Sequence, residues 1–507
     1  MTSLPSSQPT VAQTFLSANP ISAPHTLDTL ADTLARALPP GVVLRQPAEL
    51  VSYGYDASFL SARPDLVTLP TTTEQVATIV RLATAAGVPI VPRGSGTGLC
   101  GGAVPARGGV VISLTRMNSI HRIDARNRRA TVAPGVINLD LTRAAAPYGL
   151  YYAPDPASQK ISTIGGNVAT NAGGPHCLAS GVTTNHVLAL EAVLPTGETV
   201  WLGSEDGALD APGYDLVGAL TGSEGTLALI TKIVVRLLPA PEAVETLLAI
   251  YPDIASGVNT VTAIIGAGII PSALEMMDGI VCQAVERHFH VGYPQDAGSV
   301  LLIELDGPRE AVAEQRQRIQ RICGAYGARE VRVARTTAER AALWAGRKGA
   351  AGTYGQLAPN YYLQDAVVPR SRLPQIMQRV AEIARDYRLT IPNVFHAGDG
   401  NLHPAMLFDR TRPGDIERVI TAGTELLTAC VAMGGTVSGE HGIGMEKRDA
   451  LPLVFSAHDL AAMARLRTAF DPHTLFNPEK LFPTAASCVE VRDPTLLADD
   501  ATHPWMC

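Results

Sequence analysis

The chain has 507 residues, more than a single compact core accommodates, so two or three domains are expected. With 46% hydrophobic and 17% charged residues and a formal net charge of -7, it has the composition of an ordinary, well-buried globular protein. No long Lys/Arg run is present, which argues against a nucleic-acid partner, and the longest weakly polar stretch, "VTAIIGAGII" at 261–270, is too short and glycine-broken to span a bilayer.

The N-terminal stretch "MTSLPSSQPTVAQTFLSANP" has neither the basic region nor the apolar core of a signal peptide. Its Pro, Ser, Thr and Gln content predicts a disordered tail over 1–25. From 66 to 91 the pattern reads strand, helix, strand: "LVTLP", "TTTEQVATIVRLATAAG" and "VPIVP". Thr71 with Glu74 suggests a capping box, Val76, Ile79, Val80 and Ala83 form the apolar stripe, and Gly87 stops the helix. A glycine-dense loop and the strand "VVISL" follow, and short strands continue to about residue 240. The Pro-rich "LLPAPEAVET" then marks a boundary.

Beyond 246 the texture changes. "TLLAIYP", "SALEMMD", "SVLLIELDG" and "REVRVA" read as strands, while "AVAEQRQRIQRICGAYG", "RLPQIMQRVAEIARDYR" and "DIERVITAGTELLTACVAMGG" read as helices. This alternation predicts a second α+β domain whose sheet is covered on one face. "AFDPHTLFNPEKLFP" is the last ordered block expected before a polar tail over 484–507. The seven cysteines (Cys100, Cys177, Cys282, Cys323, Cys430, Cys488 and Cys507) form no CxxC and no metal spacing, which fits a reducing cytoplasm and excludes the usual iron–sulfur patterns.

"GTGLCG" at 96–101 matches the dinucleotide fingerprint GxGxxG, but its last glycine opens "GAVPARGG", where Pro105 forbids the required helix. A nicotinamide site is therefore rejected. Successive glycines can still turn backbone N–H groups inward as an anion nest. "TIGGNVATNAGG" (163–174) and "TGSEGTLALIT" (221–231) offer more such donors, although any one stretch alone also fits a turn.

"VFHAGDGNLHP" at 394–404 places His396 and His403 symmetrically about Asp399-Gly400. Asp-Gly favours a two-residue hairpin turn, which would make the two rings direct cross-strand neighbours suited to one metal ion. The pair alone equally fits a hairpin with two solvated histidines. In "SGEHGIG" (438–444) a carboxylate and a histidine stand between glycines after a terminated helix. Glu440 would complete a His₂Glu set with an open position, and His441, left unligated, would be the base. The alternative for Glu440 and His441 is a cap on the following segment.

"PRGSGTGLCGGAVP", "YYAPDPASQKISTIGGNVATNAGG", "GSEGTLALITKI" and "FNPEKLFP" together resemble the vanillyl-alcohol-oxidase-type FAD-binding family, in its D-2-hydroxyacid dehydrogenase branch, over residues 45–483. "LWAGRKGA", "YYLQD", "NVFHAGDGNLHP" and "GGTVSGEHGIG" narrow the resemblance to the FAD-linked subunits of bacterial glycolate oxidases. The resemblance implies an α+β fold with a two-lobed FAD-binding (PCMH-type) domain over 26–241. It further implies an α+β substrate or cap domain over 242–430 and a C-terminal helical segment over 431–483 that returns to the flavin.

It also implies that Pro92, Arg93, Gly94, Ser95, Gly96, Thr97 and Gly98 wrap the FAD pyrophosphate. Pro154, Asp155, Ser158, Gly165, Gly166, Asn167 and Asn171 would follow the ribityl chain and isoalloxazine. Glu224 and Ile230 would lie near ribose and adenine, and Asn477 would return to the flavin. The first loop lacks a His or Cys for covalent attachment (Cys100 lies just beyond it), so non-covalent FAD is expected.

In related hydroxyacid dehydrogenases the His396, His403 and Glu440 positions carry zinc, and borderline N/O ligands also admit Mn²⁺ or Fe²⁺. Arg347 resembles the family's carboxylate clamp, with Tyr361 or Tyr362 adding a hydroxyl. The segment matching "YYLQD" lacks the lysine of the 2-hydroxyglutarate branch, and Ala405 replaces its asparagine, which disfavours a dicarboxylic substrate. The expected reaction is oxidation of a small 2-hydroxyacid, glycolate to glyoxylate, within a complex containing an iron–sulfur subunit and a second FAD-fold subunit. That complex would sit in the cytoplasm, peripheral at the inner membrane. The alternatives are a stand-alone D-lactate dehydrogenase and a non-catalytic FAD relay subunit.

Overall fold

The computed structural model describes residues 24–204 and 213–483, so the expected tails lie outside the described residues except for positions 24 and 25, which begin a helix. That helix, Pro24–Ala37, has no counterpart among the sequence expectations. Its Leu30 and Leu34 pack in one core with Ile79, Val80 and Ala83.

The expected β-α-β unit is present as Leu66–Thr68, Thr73–Ala85 and Ile90–Arg93. Val110–Ser113 inserts between the two strands, parallel to both. The helix cap is Thr72 rather than Thr71: the Thr72 hydroxyl accepts from Gln75 N, and Thr71 N instead donates to Gln75 Oε1. Gly87, at φ +65°, ends the helix as expected. A second, antiparallel sheet runs Ile120–Asp124, Arg129–Val132, Leu229–Arg236, Val187–Val193, Thr199–Gly203. These two sheets form the two lobes of the first half of the chain.

The second half is built on a seven-stranded sheet. Its order is Glu330–Val333, Ala243–Tyr251, Ser299–Gly307, Ala273–Asp278, Val394–His396, Asn401–Leu402, Ala366–Val367. The expectation that one face is covered needs correction. Leu247, Ala249 and Tyr251 enter one core with the helices Ile254–Gly266, Arg309–Ala325, Leu373–Asp386 and Asp415–Ala432. The alternating Leu248 and Ile250 enter another, with Gly279–Phe289 and Thr337–Gly349. Both faces are buried, which is why these strands read as continuous apolar runs rather than alternating ones.

After the helix Ala457–Phe470 the chain returns to the first lobe. Ile90 N donates to Leu475 O and Asn477 N to Ile90 O, so Phe476 lies beside the strand that leads into the glycine-dense loop.

Candidate active site

The hairpin register differs from the expected one. His396 pairs with Asn401, not with His403, because the turn is four residues long: Gly400, at φ +83°, donates its N–H to His396 O. His396 and His403 are therefore diagonal neighbours on one face. Their rings still converge, edge to face with centroids 4.9 Å apart.

Glu275 lies directly opposite His396 on the adjacent strand and is fully buried. Its carboxylate takes the Nδ1 side of the His396 ring at 2.8 and 2.9 Å, which leaves Nε2 to face Glu440 Oε1 at 3.0 Å. His403 Nε2 lies 3.1 Å from the same oxygen. Neither His403 nitrogen, in a residue only 6% exposed, makes a hydrogen bond of good geometry. Burial opposes ionisation of Glu440, but the two histidines hold its carboxyl well below the usual range. Ligand atoms around one cation at about 2.1 Å stand roughly 3.4 Å apart, so an orphaned buried imidazole beside this imidazole–carboxylate pair fits a divalent metal.

The loop presenting Glu440 and His441 is gripped by two buried carboxylates that the sequence reading did not single out for this task. Asp365 accepts from the N–H groups of Glu440 (3.2 Å) and His441 (2.9 Å) and from Lys447 Nζ (3.0 Å). Although completely buried, it stays ionised well below the usual carboxylate range because of Lys447 and the neighbouring histidines. Glu224, expected near ribose, lines the cleft and also accepts from Ile443 N (2.6 Å) and Gly444 N (2.8 Å), and burial pushes its carboxyl up to about 7. The His441 ring stacks on His403 at 4.8 Å. Burial lowers the His441 imidazole to about 4 despite Asp365, so the ring is neutral near pH 7.

A cleft of about 690 Å³ opens onto this cluster. The whole 92–98 loop, Ser158, Gly165, Gly166, Asn167, Glu224 and Ile230 line it, together with Tyr361, Glu440 and His441. Pro154, Asp155, Asn171 and Asn477 stand behind the wall instead; Asn477 Nδ2, for example, donates to Gly102 O and Glu224 O. Arg93 braces the loop from below by donating to Tyr55 O. A Cβ at Gly225, itself at φ +68°, would strike Pro92, so the wall closes only with glycine there. A Cβ at Gly173 would come within 2.5 Å of Glu440 Oε2, which puts the glycine-rich wall in contact with the carboxylate loop. These Cβ-free backbones lining a long cleft fit a dinucleotide.

Two expectations separate here. Tyr361 lines the cleft, whereas Tyr362 points away, edge-on to Phe59 in the core. Arg347 is buried and does not line the cleft; its guanidinium forms an ion pair with Glu275 and lies 3.3 Å from His396 Nδ1. The carboxylate it clamps in this structure is the chain's own. Cys100 Sγ is buried and donates to Gly442 O.

The FAD binding domain family matches residues 64–203, and the family of FAD linked oxidases, C-terminal domain, matches residues 240–481. The chain is 44% identical to the glycolate oxidase subunit GlcD of Escherichia coli (strain K12) over 453 residues, 89% of this chain and 90% of that one. It is 43% identical to GlcD of Bacillus subtilis (strain 168), covering 85% and 92%. To the D-lactate dehydrogenase of Anaerostipes hadrus it is 34% identical, covering 85% and 91%. Among solved structures, p-cresol methylhydroxylase with substrate bound shares the fold, with TM-score 0.78 at 17% identity over 92% of this chain and 99% of that one. The chain belongs to the FAD-linked oxidases of the vanillyl-alcohol-oxidase type, in the group that includes the glycolate oxidase subunit GlcD.

Proposed function

We propose that this chain oxidises a small 2-hydroxyacid, glycolate first, to the 2-oxoacid, taking the hydride from C2 onto FAD held without a covalent link. The observation that carries this reading is the meeting of a neutral, cleft-lining His441 with the His396–His403–Glu440 set at the end of the flavin-type cleft. The likeness to GlcD supports glycolate as the substrate.

In this reading bound FAD supplies the hydride acceptor. A divalent cation on His396, His403 and Glu440, zinc by resemblance, supplies Lewis-acid polarisation of the substrate oxygens. The work of the chain's own side chains follows from their positions. His441 accepts the hydroxyl proton at Nε2, the nitrogen 3.8 Å from Glu440 Oε1. Tyr361 donates its hydroxyl to the substrate carboxylate from the cleft wall. Glu275 and Arg347 fix the His396 ring, so that Nε2 is the atom presented. Ala405 lies in the apolar core with Val394 and Leu407 and offers nothing to a distal carboxylate, which supports a short substrate.

The reduced flavin must pass its electrons on, and the five described cysteines are all unpaired, with no cysteine in any metal-type cluster among the described residues. An iron–sulfur subunit and a second FAD-fold subunit are the proposed recipients, with the assembly peripheral at the inner membrane. Among the described residues no helix is long and apolar enough to cross a membrane. The similarity to a D-lactate dehydrogenase favours a second reading, a self-sufficient enzyme acting on D-lactate. Native isolation from the source cell, followed by dye-coupled assays with glycolate and D-lactate, tests the two. Recovery with partners and activity on glycolate is expected; a lone chain active on D-lactate alone would overturn the glycolate reading.

A further inference from the structure

One half-buried titratable group outside the histidine–glutamate set takes no part in that chemistry. His176 lies three residues after the wall glycine Gly173 and directly precedes the short helix Cys177–Ser180. Its Nδ1 is 2.9 Å from Asp155 Oδ2 and its Nε2 is 3.1 Å from Glu304 Oε1. A ring with a carboxylate on each nitrogen has to donate from both, and only the imidazolium has two N–H groups. Burial alone would lower its pKa, yet the two carboxylates raise it to about 10. Asp155 directly precedes the cleft wall residues Pro156, Ala157 and Ser158, whereas Glu304 lies within the strand Ser299–Gly307 of the other sheet. The cation therefore joins the two halves of the molecule.

Both carboxylates have further partners, and those come largely from one helix. Thr337–Gly349 sends Arg340 Nε to Glu304 Oε2 (3.0 Å), Trp344 Nε1 to the same oxygen, and Lys348 Nζ to Asp155 Oδ2 (2.8 Å). The spacing i, i+4, i+8 puts these three on one face. The Trp344 ring lies 5.1 Å from that of His176. Arg347, one residue before Lys348, is the partner of Glu275, which in turn holds His396. One helix thus connects the segment behind the flavin-type cleft to the group that orients a metal-type ligand.

We propose that His176 is a positioning residue: the Asp155–His176–Glu304 bridge seats the helix Thr337–Gly349 between the two halves and so sets the cleft wall against the His396–His403–Glu440 set. The proposal rests on that set being the reaction centre. Removing the cation leaves the buried Glu304 and the partly buried Asp155 carboxylates facing each other with fewer counter-charges, which favours separation of the halves. Hydride transfer tolerates little of that, because a displacement of about 1 Å costs on the order of a hundredfold in rate.

The test uses the full-length, FAD-loaded protein with its metal content measured, comparing wild type, His176→Gln and His176→Arg. Two quantities are read: anaerobic flavin reduction by glycolate, and amide hydrogen exchange in peptides covering 153–159 and 337–349. For His176→Gln the maximal reduction rate is expected to fall roughly ten- to a hundredfold. The half-saturating glycolate concentration, FAD content and metal content should stay close to wild type, and both peptides should exchange faster. His176→Arg, a permanent cation, should recover most of the rate and the protection. Unchanged reduction by His176→Gln, or faster exchange confined to 173–180, would overturn the proposal. If His176→Gln does not fold, Lys348→Met removes the other cation on Asp155; unchanged exchange in both peptides would then overturn it. Should wild type fail to reduce its flavin with any small 2-hydroxyacid, the functional reading falls while the exchange measurement still decides the bridge.

Discussion

A single oxygen of Glu440 stands 3.0 Å from His396 Nε2 and 3.1 Å from His403 Nε2, and the second ring has nothing else suitable to bond. At this scale the metal reading is directly testable. Elemental analysis should find about one divalent ion per chain in wild type and much less in the His396→Ala/His403→Ala protein, with FAD content unchanged. Equal metal in both would remove the site. The tyrosines give a second residue-level comparison. Tyr361→Phe, which loses a hydroxyl in the cleft, should lower kcat/KM about tenfold, in line with one hydrogen bond to a charged group, and Tyr362→Phe should change it by less than about twofold. The reverse order, read by steady-state kinetics, would contradict the placement of Tyr361.

The convergence of His396, His403, Glu440 and His441 was legible in the sequence because the two histidines flank the Asp399-Gly400 turn, while Glu440 and His441 stand between Gly439 and Gly442. Glu275, Asp365 and the second role of Glu224 were not legible as parts of the site. Each reaches its partner through tertiary pairing across many residues (Glu275 and His396 are 121 apart), and no local spacing records that. Arg347 was singled out on resemblance, while its ion pair depends on the neighbour that folding brings to it.

Among the elements, the strands of the second half were found readily but their setting was misjudged. A run such as "SVLLIELDG" fits a strand buried on both faces, and that meaning emerges only once helices on each side are in place. Ile254–Gly266 and Gly279–Phe289 were missed: the first is rich in β-branched residues and glycine, and the second is short. The hairpin register was off because Asp-Gly serves two-residue and four-residue turns alike.

The bridge at His176 carries a pH signature at this same scale. The charged and titratable groups facing it are Asp155, Glu304, Lys348, Arg340 and, farther out, Asp306. Its pKa is raised from 6.5 to about 10 in the folded protein, so its stabilising contribution is fully present below pH 6.5 and is lost as pH rises through about 10. The difference in urea midpoint between wild type and His176→Gln should therefore be largest near pH 6 and shrink toward about pH 10. A gap independent of pH would contradict an imidazolium bridge.

For the whole molecule, both halves are needed at one place: the first supplies the cleft and Glu224, the second Asp365 and the two histidines, and the C-terminal return supplies the loop with Glu440 and His441. No covalent tether to flavin is expected, since the 92–98 loop has no His or Cys and the Cys100 thiol is buried, with its pKa pushed up by burial. Acid precipitation should leave the yellow colour in the supernatant; colour retained in the pellet would overturn this. The central claim, that these elements oxidise a small 2-hydroxyacid, is tested most directly by mixing the metal-loaded flavoprotein anaerobically with glycolate and following flavin absorbance. Rapid bleaching in wild type is predicted, slowed by about a hundredfold or more in His441→Asn, in which the proton acceptor is gone. No bleaching by glycolate or D-lactate at full FAD and metal loading, or bleaching equally fast in His441→Asn, would contradict the account.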